Sequence, residues 1–231
     1  MNPDLKKRLE NVSSIIWDLD NTLYPETDLL HQAFDDAIAR AAILSGAAVS
    51  MDDAIRLSKQ SYIDHAYGGR VFIEQYGVDP QLLHFNIHPL VNESIISAYD
   101  DLPGLFDAIA IPHALVTHGS REWALRVLNH IGLRDRFPDH TVHALEDFAF
   151  EKKHVSRRPF EQALAAISHT ASLSMMVEDQ ARNLVLPREM GMVTVLVTHG
   201  RRPVDVPAHI DLVIDNAVEL LGILKGAKAL S

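Results

Sequence analysis

The hydrophobic positions change texture twice along the chain. A mostly apolar run from Val12 to Trp17 drives into Asp18, Leu19, Asp20, Asn21 and Thr22, with Tyr24-Pro25 close behind. Such a run, ending in turn-forming polar residues, predicts a buried strand that emerges into a loop. From Asp28 to about Tyr99 the apolar residues recur instead at spacings of three and four. Leu29, Leu30, Ala33, Phe34, Ala37 and Ile38 open one such stripe, and Gly46 ends it. A second helix is expected over 51–67 with Ser50 as its N-cap, and further helical stretches over 71–76 and 81–91. From Pro103 onward, short apolar runs alternate with helical ones. Strands are expected at 113–117, 141–144, 174–177, 193–197 and 212–214, and helices at 121–131, 158–167, 183–190 and 217–225. A charged lead-in helix is expected over 1–11. Alternating strands and helices predict an α/β fold with a doubly wound parallel sheet, interrupted by one all-helical insertion.

Composition narrows the function. With 231 residues there is material for one large or two small domains around a real core. A net charge of −10 and the lack of any basic stripe argue against a nucleic-acid partner. The absence of cysteine excludes disulfides, thiolate–zinc sites and cysteine nucleophiles. There is no Walker A loop, no GxGxxG fingerprint and no GxSxG elbow. The opening MNPDLKKRLENVSS has no apolar core of a signal peptide, and no run approaches membrane-spanning length. The expectation is a cytoplasmic protein with no membrane partner.

The acids at the first strand's end carry the chemistry. In an extended chain Asp18 and Asp20 point to the same side, where two carboxylates repel unless a cation or a reaction uses them. A calcium loop counted from Asp18 would need Gly and Glu where Leu23 and Leu29 stand, so that reading fails. The apolar lead-in argues against a plain surface turn. Two more strands end in polar residues, Thr117 after one and Glu178-Asp179 after another. In a doubly wound sheet such ends lie along one edge, where ligands bind.

Four stretches resemble the motifs of one family. DLDNTLYP resembles the first motif of the haloacid dehalogenase-like hydrolases, apolar-Asp-x-Asp-x-Thr, in the form of their pyrimidine 5'-nucleotidase-like branch. HALVTHG resembles the second motif at Thr117, with His118 where that branch often has Asn. MMVEDQARNL resembles the fourth, with Glu178 replacing an Asp, Asp179 at the usual metal position and Asn183 at the family's Asn. The third commonly reads Lys-Pro-x-x-x-x-Phe-Glu. Here EKKHVSRRPFE has two lysines, no Pro after either, and extra residues before Phe160-Glu161. Counting back from Phe160 puts His154 on the lysine position, while a small insertion selects Lys152 or Lys153. Lys152 is favoured, because Lys-x-His-Val matches a spacing of the nucleotidase-like branch.

The resemblance implies a Rossmann-like core (1–24 and 100–231) with a helical cap (25–99) that can close over the strand ends. It implies Mg²⁺-dependent hydrolysis of phosphomonoesters through an aspartyl-phosphate on Asp18. Asp18, Asp179 and the Asp20 carbonyl would hold Mg²⁺, and the Asp20 side chain would serve as general acid and base. Thr117, His118, Gly119 and Lys152 would receive the phosphoryl group. Family members that cleave carbon–halogen bonds lack an acid two residues after the nucleophile, so Asp20 argues for phosphate. The expected substrate is a small phosphorylated metabolite, a nucleoside 5'-monophosphate with pyrimidine above purine. Tyr62, Tyr67, Phe72, Tyr76 or Phe85 would stack on the base. A sugar-phosphate phosphatase, a phosphomutase and a non-catalytic binding protein on the same fold are the alternatives. His84 and His88, four apart, read as cap structure or pocket lining rather than a metal pair. The oligomeric state is open.

Overall fold

A computed structural model describes residues 3–228. The chain opens with α1 (Pro3–Glu10) and β1 (Ser14–Trp17), then runs through four helices. These are α2 (Asp28–Leu44), α3 (Met51–His65), α4 (Arg70–Tyr76) and α5 (Pro80–Ile87). After α6 (Leu102–Asp107) come β2 (His113–Val116), α7 (Arg121–His130), β3 (Val142–His143) and α8 (Arg158–Ala166). The last elements are β4 (Ser174–Glu178), α9 (Val185–Glu189), β5 (Val193–Val197), β6 (Leu212–Ile214) and α10 (Ala217–Lys228). The residues up to Pro25 and those from Ser97 onward form one compact unit, and Glu26–Ile96 form another.

All six strands of the first unit are parallel, in the order β3-β2-β1-β4-β5-β6. The order reverses between β1 and β4, which is the crevice where open α/β sheets bind ligands. The strands are short and their apolar residues buried on both faces, as parallel sheets require. Ile16, Val116 and Met176 pack with Phe160, Ala163 and Leu164 of α8 on one side. Trp17 points to the other face, its ring centroid 5.2 Å from that of Phe106. Its Nε1–H donates to His113 Nδ1 at 3.2 Å. Full burial of each such large side chain contributes roughly 1.5–3 kcal/mol. The predicted strands fall within a residue or two of the observed ones. Helix α6 has no counterpart in the sequence reading, and residues 183–190 split into a 3₁₀ turn (Ala181–Leu184) and the short α9. No helix among the described residues is long and apolar enough to cross a membrane.

The second unit is all helical, with α2 packed on α3 and α5, and α3 on α4. Three of its four helices begin where side chains cap them. Thr27 accepts the Leu30 N–H at 3.2 Å, Ser50 that of Asp53 at 3.2 Å, and Asp79 that of Leu82 at 2.8 Å. His84 and His88 are buried, with ring centroids 5.1 Å apart, and His88 Nδ1 lies 3.2 Å from the His84 carbonyl oxygen. They belong to the interior of this unit. So does Phe72, which is fully buried and packs beside Tyr76. Burial pushes the Tyr67 phenol up to about 12. Tyr62 and Phe85 remain open to solvent, at 39% and 48% exposure.

Candidate active site

The first motif leaves β1 through a tight turn. Asp18 N–H still donates to the Val177 carbonyl of β4 at 2.9 Å, so Asp18 is fixed by the sheet itself. Thr22 and Leu23 N–H then return to the Leu19 carbonyl at 3.2 and 3.0 Å, with Asn21 between them at φ 58°. Asparagine tolerates this left-handed conformation better than most residues. The turn gives the two acids different neighbours. Asp18 is buried, and its Oδ2 accepts from Thr22 Oγ1 at 3.1 Å. Asp20 Oδ1 accepts from Trp123 Nε1 at 2.7 Å and from the Tyr24 hydroxyl, while Oδ2 accepts from Thr117 Oγ1 at 3.4 Å.

A single ammonium joins Asp18 to the fourth motif. Lys153 Nζ donates to Asp18 Oδ1 at 2.5 Å and to Glu178 Oε2 at 2.6 Å, with the lysine side chain only 1% exposed. It is therefore Lys153 that reaches Asp18, not the Lys152 favoured by the Lys-x-His-Val spacing. The loop explains this. Val155 and Ser156 N–H both return to the Lys152 carbonyl, at 2.9 and 3.1 Å. The Lys153 N–H donates to His118 Nε2 at 3.0 Å. This turn sends Lys153 inward, leaves Lys152 half-buried near Arg182, and puts His154 outside beside Asn183. Burial, then the positive charges of Lys153 and Lys152, hold His118 well below the usual histidine range. Its ring is neutral and able to accept that N–H.

Two expected phosphate contacts are engaged within the protein. His118 serves the Lys153 backbone, and the Gly119 N–H donates to Thr117 Oγ1 at 2.9 Å. Thr117 itself is buried at the end of β2, as the second motif requires.

The acids are more numerous than their cation. Glu178 Oε1 accepts the Gln180 N–H at 3.2 Å, and Asp179 Oδ2 accepts from Asn21 Nδ2 at 2.9 Å. Asn21 is braced in turn, its carbonyl 2.8 Å from His199 Nε2, whose Nδ1 lies 3.1 Å from the Tyr99 hydroxyl. A carbonyl can only accept, so His199 Nε2 donates to Asn21. Burial and the Glu178 charge push the Asp18 carboxyl up to about 7 against the opposing pull of Lys153. Burial and Glu178 raise Asp179 well above the usual carboxylate range too. Burial raises Glu178, but Lys153 and the hydrogen bonds from Asp179 and the Gln180 N–H together outweigh it and leave Glu178 lowered. Lys153 is raised, because Asp18 and Glu178 outweigh the cost of burying its charge. One ammonium thus offsets only part of the negative charge that three carboxylates can carry.

Asp18, Glu178 and Asp179 each offer an oxygen, all within 4.8 Å of one another. An all-oxygen set with surplus negative charge suits a hard divalent cation. The sequence reading placed Asp18, Asp179 and the Asp20 carbonyl around the metal. The structure adds Glu178 to the group, and the Asp20 side chain is committed elsewhere. Beside Asp179 and Asn21 a cavity of about 330 Å³ opens, lined also by His199 and Arg201. A larger one, about 440 Å³, lies at the start of β2 around Pro112 and His113, and none of the site residues line it.

Two contributors, Trp123 and His199, lie outside every motif, while Lys153 was one of three candidates in the third motif and Tyr24 stood within the first. Tyr24 was read only as a branch marker, and Trp123 and His199 carry no spacing signal at all.

Comparison with known proteins gives the family and the fold. The sequence model of one family, described as haloacid dehalogenase-like hydrolase, matches residues 12–191. No curated protein matches the chain. Among solved structures, the chain is similar to a HAD phosphatase from Thermococcus onnurineus, with 19% identity and a TM-score of 0.65 over 92% of this chain and 98% of that one. It is similar to the L-2-haloacid dehalogenase from Xanthobacter autotrophicus with chloropropionic acid covalently bound, with 12% identity and a TM-score of 0.60 over 93% and 99%. It is also similar to the putative HAD-hydrolase YfnB from Bacillus subtilis bound to magnesium, at 15% identity and 0.58 over 92% and 98%. At these identities the likeness is one of fold.

Proposed function

The chain belongs to the haloacid dehalogenase-like hydrolases, and within that family we propose that it hydrolyses phosphomonoesters with the help of a divalent cation, Mg²⁺. The observation that carries this reading is a second acid, Asp20, half-buried beside the buried Asp18 and held by different donors. Carboxylates with separate environments take separate roles. Asp18, against Lys153, is the nucleophile and forms the aspartyl-phosphate. Asp20 gives a proton to the leaving oxygen and later takes one from the attacking water. Lys153 and Thr117 receive phosphoryl oxygens. Asp18, Glu178 and Asp179 would hold the cation, which when bound supplies charge neutralisation between the carboxylates and the phosphate.

The helical unit, Glu26–Ile96, is the cap of this reading. Phe72 is fully buried and Tyr67 and Tyr76 are half-buried, so of the five aromatics Tyr62 and Phe85 are the ones open to a base. The substrate is accordingly a nucleoside 5'-monophosphate, pyrimidine above purine. Two assays test the two levels. Hydrolysis of p-nitrophenyl phosphate that depends on Mg²⁺ and is stopped by chelation supports the phosphatase. Release of halide from a 2-haloacid in its place overturns it. Comparison of kcat/KM for UMP, CMP, AMP and a short sugar phosphate tests the substrate, and the nucleotidase reading fails if the sugar phosphate leads.

A further inference from the structure

Asp20 is gripped by a residue outside every motif. Its Oδ1 accepts from Trp123 Nε1 at 2.7 Å and from the Tyr24 hydroxyl, and its Oδ2 faces Thr117 Oγ1 at 3.4 Å. An indole N–H can only donate. Oδ1 is therefore held as an acceptor, and Oδ2 is the oxygen left to give and take a proton. Trp123 is itself fixed at both ends. It is fully buried, and in the first turn of α7 its backbone N–H donates to the N-cap Ser120 Oγ at 3.2 Å. Gly119 makes the room. A Cβ there would fall 3.0 Å from Trp123 Cδ1, 3.3 Å from Thr117 Oγ1 and 3.4 Å from Asp20 Oδ2. Indole, hydroxyl and carboxylate thus converge on the space of a missing side chain.

We propose that Trp123 is a positioning residue for the general acid: it pins Asp20 Oδ1 so that Oδ2 faces the leaving oxygen. The inference rests on the phosphatase reading. In the step concerned, the Asp18–phosphorus bond forms and the ester P–O bond breaks. The electron pair goes to the leaving oxygen, which takes its proton from Asp20 Oδ2. A well-aimed acid matters most when the leaving group is a poor one, as an alkoxide is and a nitrophenolate is not.

The test is Trp123→Phe, which keeps an apolar ring and removes the N–H. Its kcat/KM is measured with p-nitrophenyl phosphate and with glycerol 2-phosphate at saturating Mg²⁺. This parameter covers the steps through departure of the leaving group and excludes later hydrolysis of the phosphoenzyme. The expected result is a fall about tenfold or more greater for the alkyl than for the aryl ester, within the range that general acids supply. Equal falls for both esters overturn the inference, since a merely structural loss does not sense the leaving group. Asp20→Asn keeps the two readings apart. If it discriminates between the esters and Trp123→Phe does not, only the role of Trp123 fails. If neither discriminates, Asp20 is not the acid. No hydrolysis of either ester by the unaltered protein overturns the phosphatase reading and this inference with it. Should Trp123→Phe not fold, Tyr24→Phe removes the other donor to the same oxygen and carries the same expectation.

Discussion

The two ends of the sheet solve opposite charge problems. At the C-terminal end of β1 and β4, Asp18, Glu178 and Asp179 cluster around the one ammonium of Lys153. At the N-terminal end of β5 and β6 the ratio inverts. There Asp211 accepts from Arg8 at 2.6 Å, Arg188 at 2.9 Å, and both the N–H and the hydroxyl of Thr194 at 3.0 and 3.2 Å. One carboxylate has more donors than it needs, and it ties α1, α9 and the sheet together. The first end carries buried negative charge that a folded protein would not keep for stability alone. The second is complete without any ligand. On the proposed reading the excess charge serves a bound cation, and the satisfied cluster is a strut.

Replacing Asp18, the proposed nucleophile, should separate the two roles most strongly. Asp18→Asn is expected to lower turnover by roughly 10⁴-fold or more, on the scale of nucleophile losses in other enzymes. The fold should survive, because Asn keeps the volume and removes surplus charge. Stability then has a sign that can be checked. The folded carboxyl of Asp18 is raised to about 7 from 3.8. Its contribution is therefore fully present below the unfolded value and is lost as pH rises through the folded one. Without metal, the Tm of the unaltered protein should fall relative to Asp18→Asn as pH goes from 4 to 8. Mg²⁺ should restore it. Parallel Tm curves would mean that the surplus charge is not felt.

Removing the shared cation comes next. Lys153→Met leaves Asp18 and Glu178 buried without their ammonium, a loss on the order of 3–5 kcal/mol by chemical denaturation. Lys152→Met should change stability by only about 0.5 kcal/mol and leave hydrolysis near that of the parent. The reverse order would place the working lysine one residue earlier.

That pair of lysines also shows where sequence reading stops. The parallel sheet was legible because Ile15, Ile16 and Trp17, or Val193 to Val197, are too apolar to be anything but buried strands. The acids were legible because Asp18, Asp20 and Asp179 follow directly on such strands, whose direction sets theirs. Lys153 follows no periodic element. It lies in a turn whose two hydrogen bonds to the Lys152 carbonyl decide which side chain goes in, and spacing to Phe160 carries no such information. Trp123 was read as an ordinary member of a helix, since one indole N–H looks the same in sequence whether it meets a carboxylate or water. Glu178 was taken for a departure from the motif, yet its carboxylate is bonded to Lys153. Asp211 gave no signal because its partners come from residues 8, 188 and 194.

At the other end the effects should be smaller and confined to stability. Asp211→Ala strands the buried Thr194 N–H and leaves two guanidinium groups without their acceptor. A loss of about 1–3 kcal/mol is expected. At 25 °C kcat/KM should stay at the level of the parent protein. A large loss of activity in a folded Asp211→Ala protein would break the distinction between strut and site.

The smallest expected effect is also the sharpest contrast with Lys153. Arg188→Met removes a cation from Asp211, as Lys153→Met removes one from Asp18, and the two bonds are of similar length, 2.9 and 2.5 Å. Distance alone would predict comparable losses. The surroundings predict otherwise. The Arg188 side chain is 37% exposed and the carboxylate it leaves keeps Arg8 and both groups of Thr194. Solvent screening and the remaining donors should hold the loss to about 0.2–1 kcal/mol. Arg8→Met, whose side chain is 25% exposed, should cost somewhat more, because it also gives up a hydrogen bond to the Met192 carbonyl. In the double variant Asp211 keeps only Thr194, and its loss should exceed the sum of the two single losses, since each arginine substitutes for the other. Strict additivity would mean that the arginines act independently, and the redundancy assigned to this end of the sheet would be wrong.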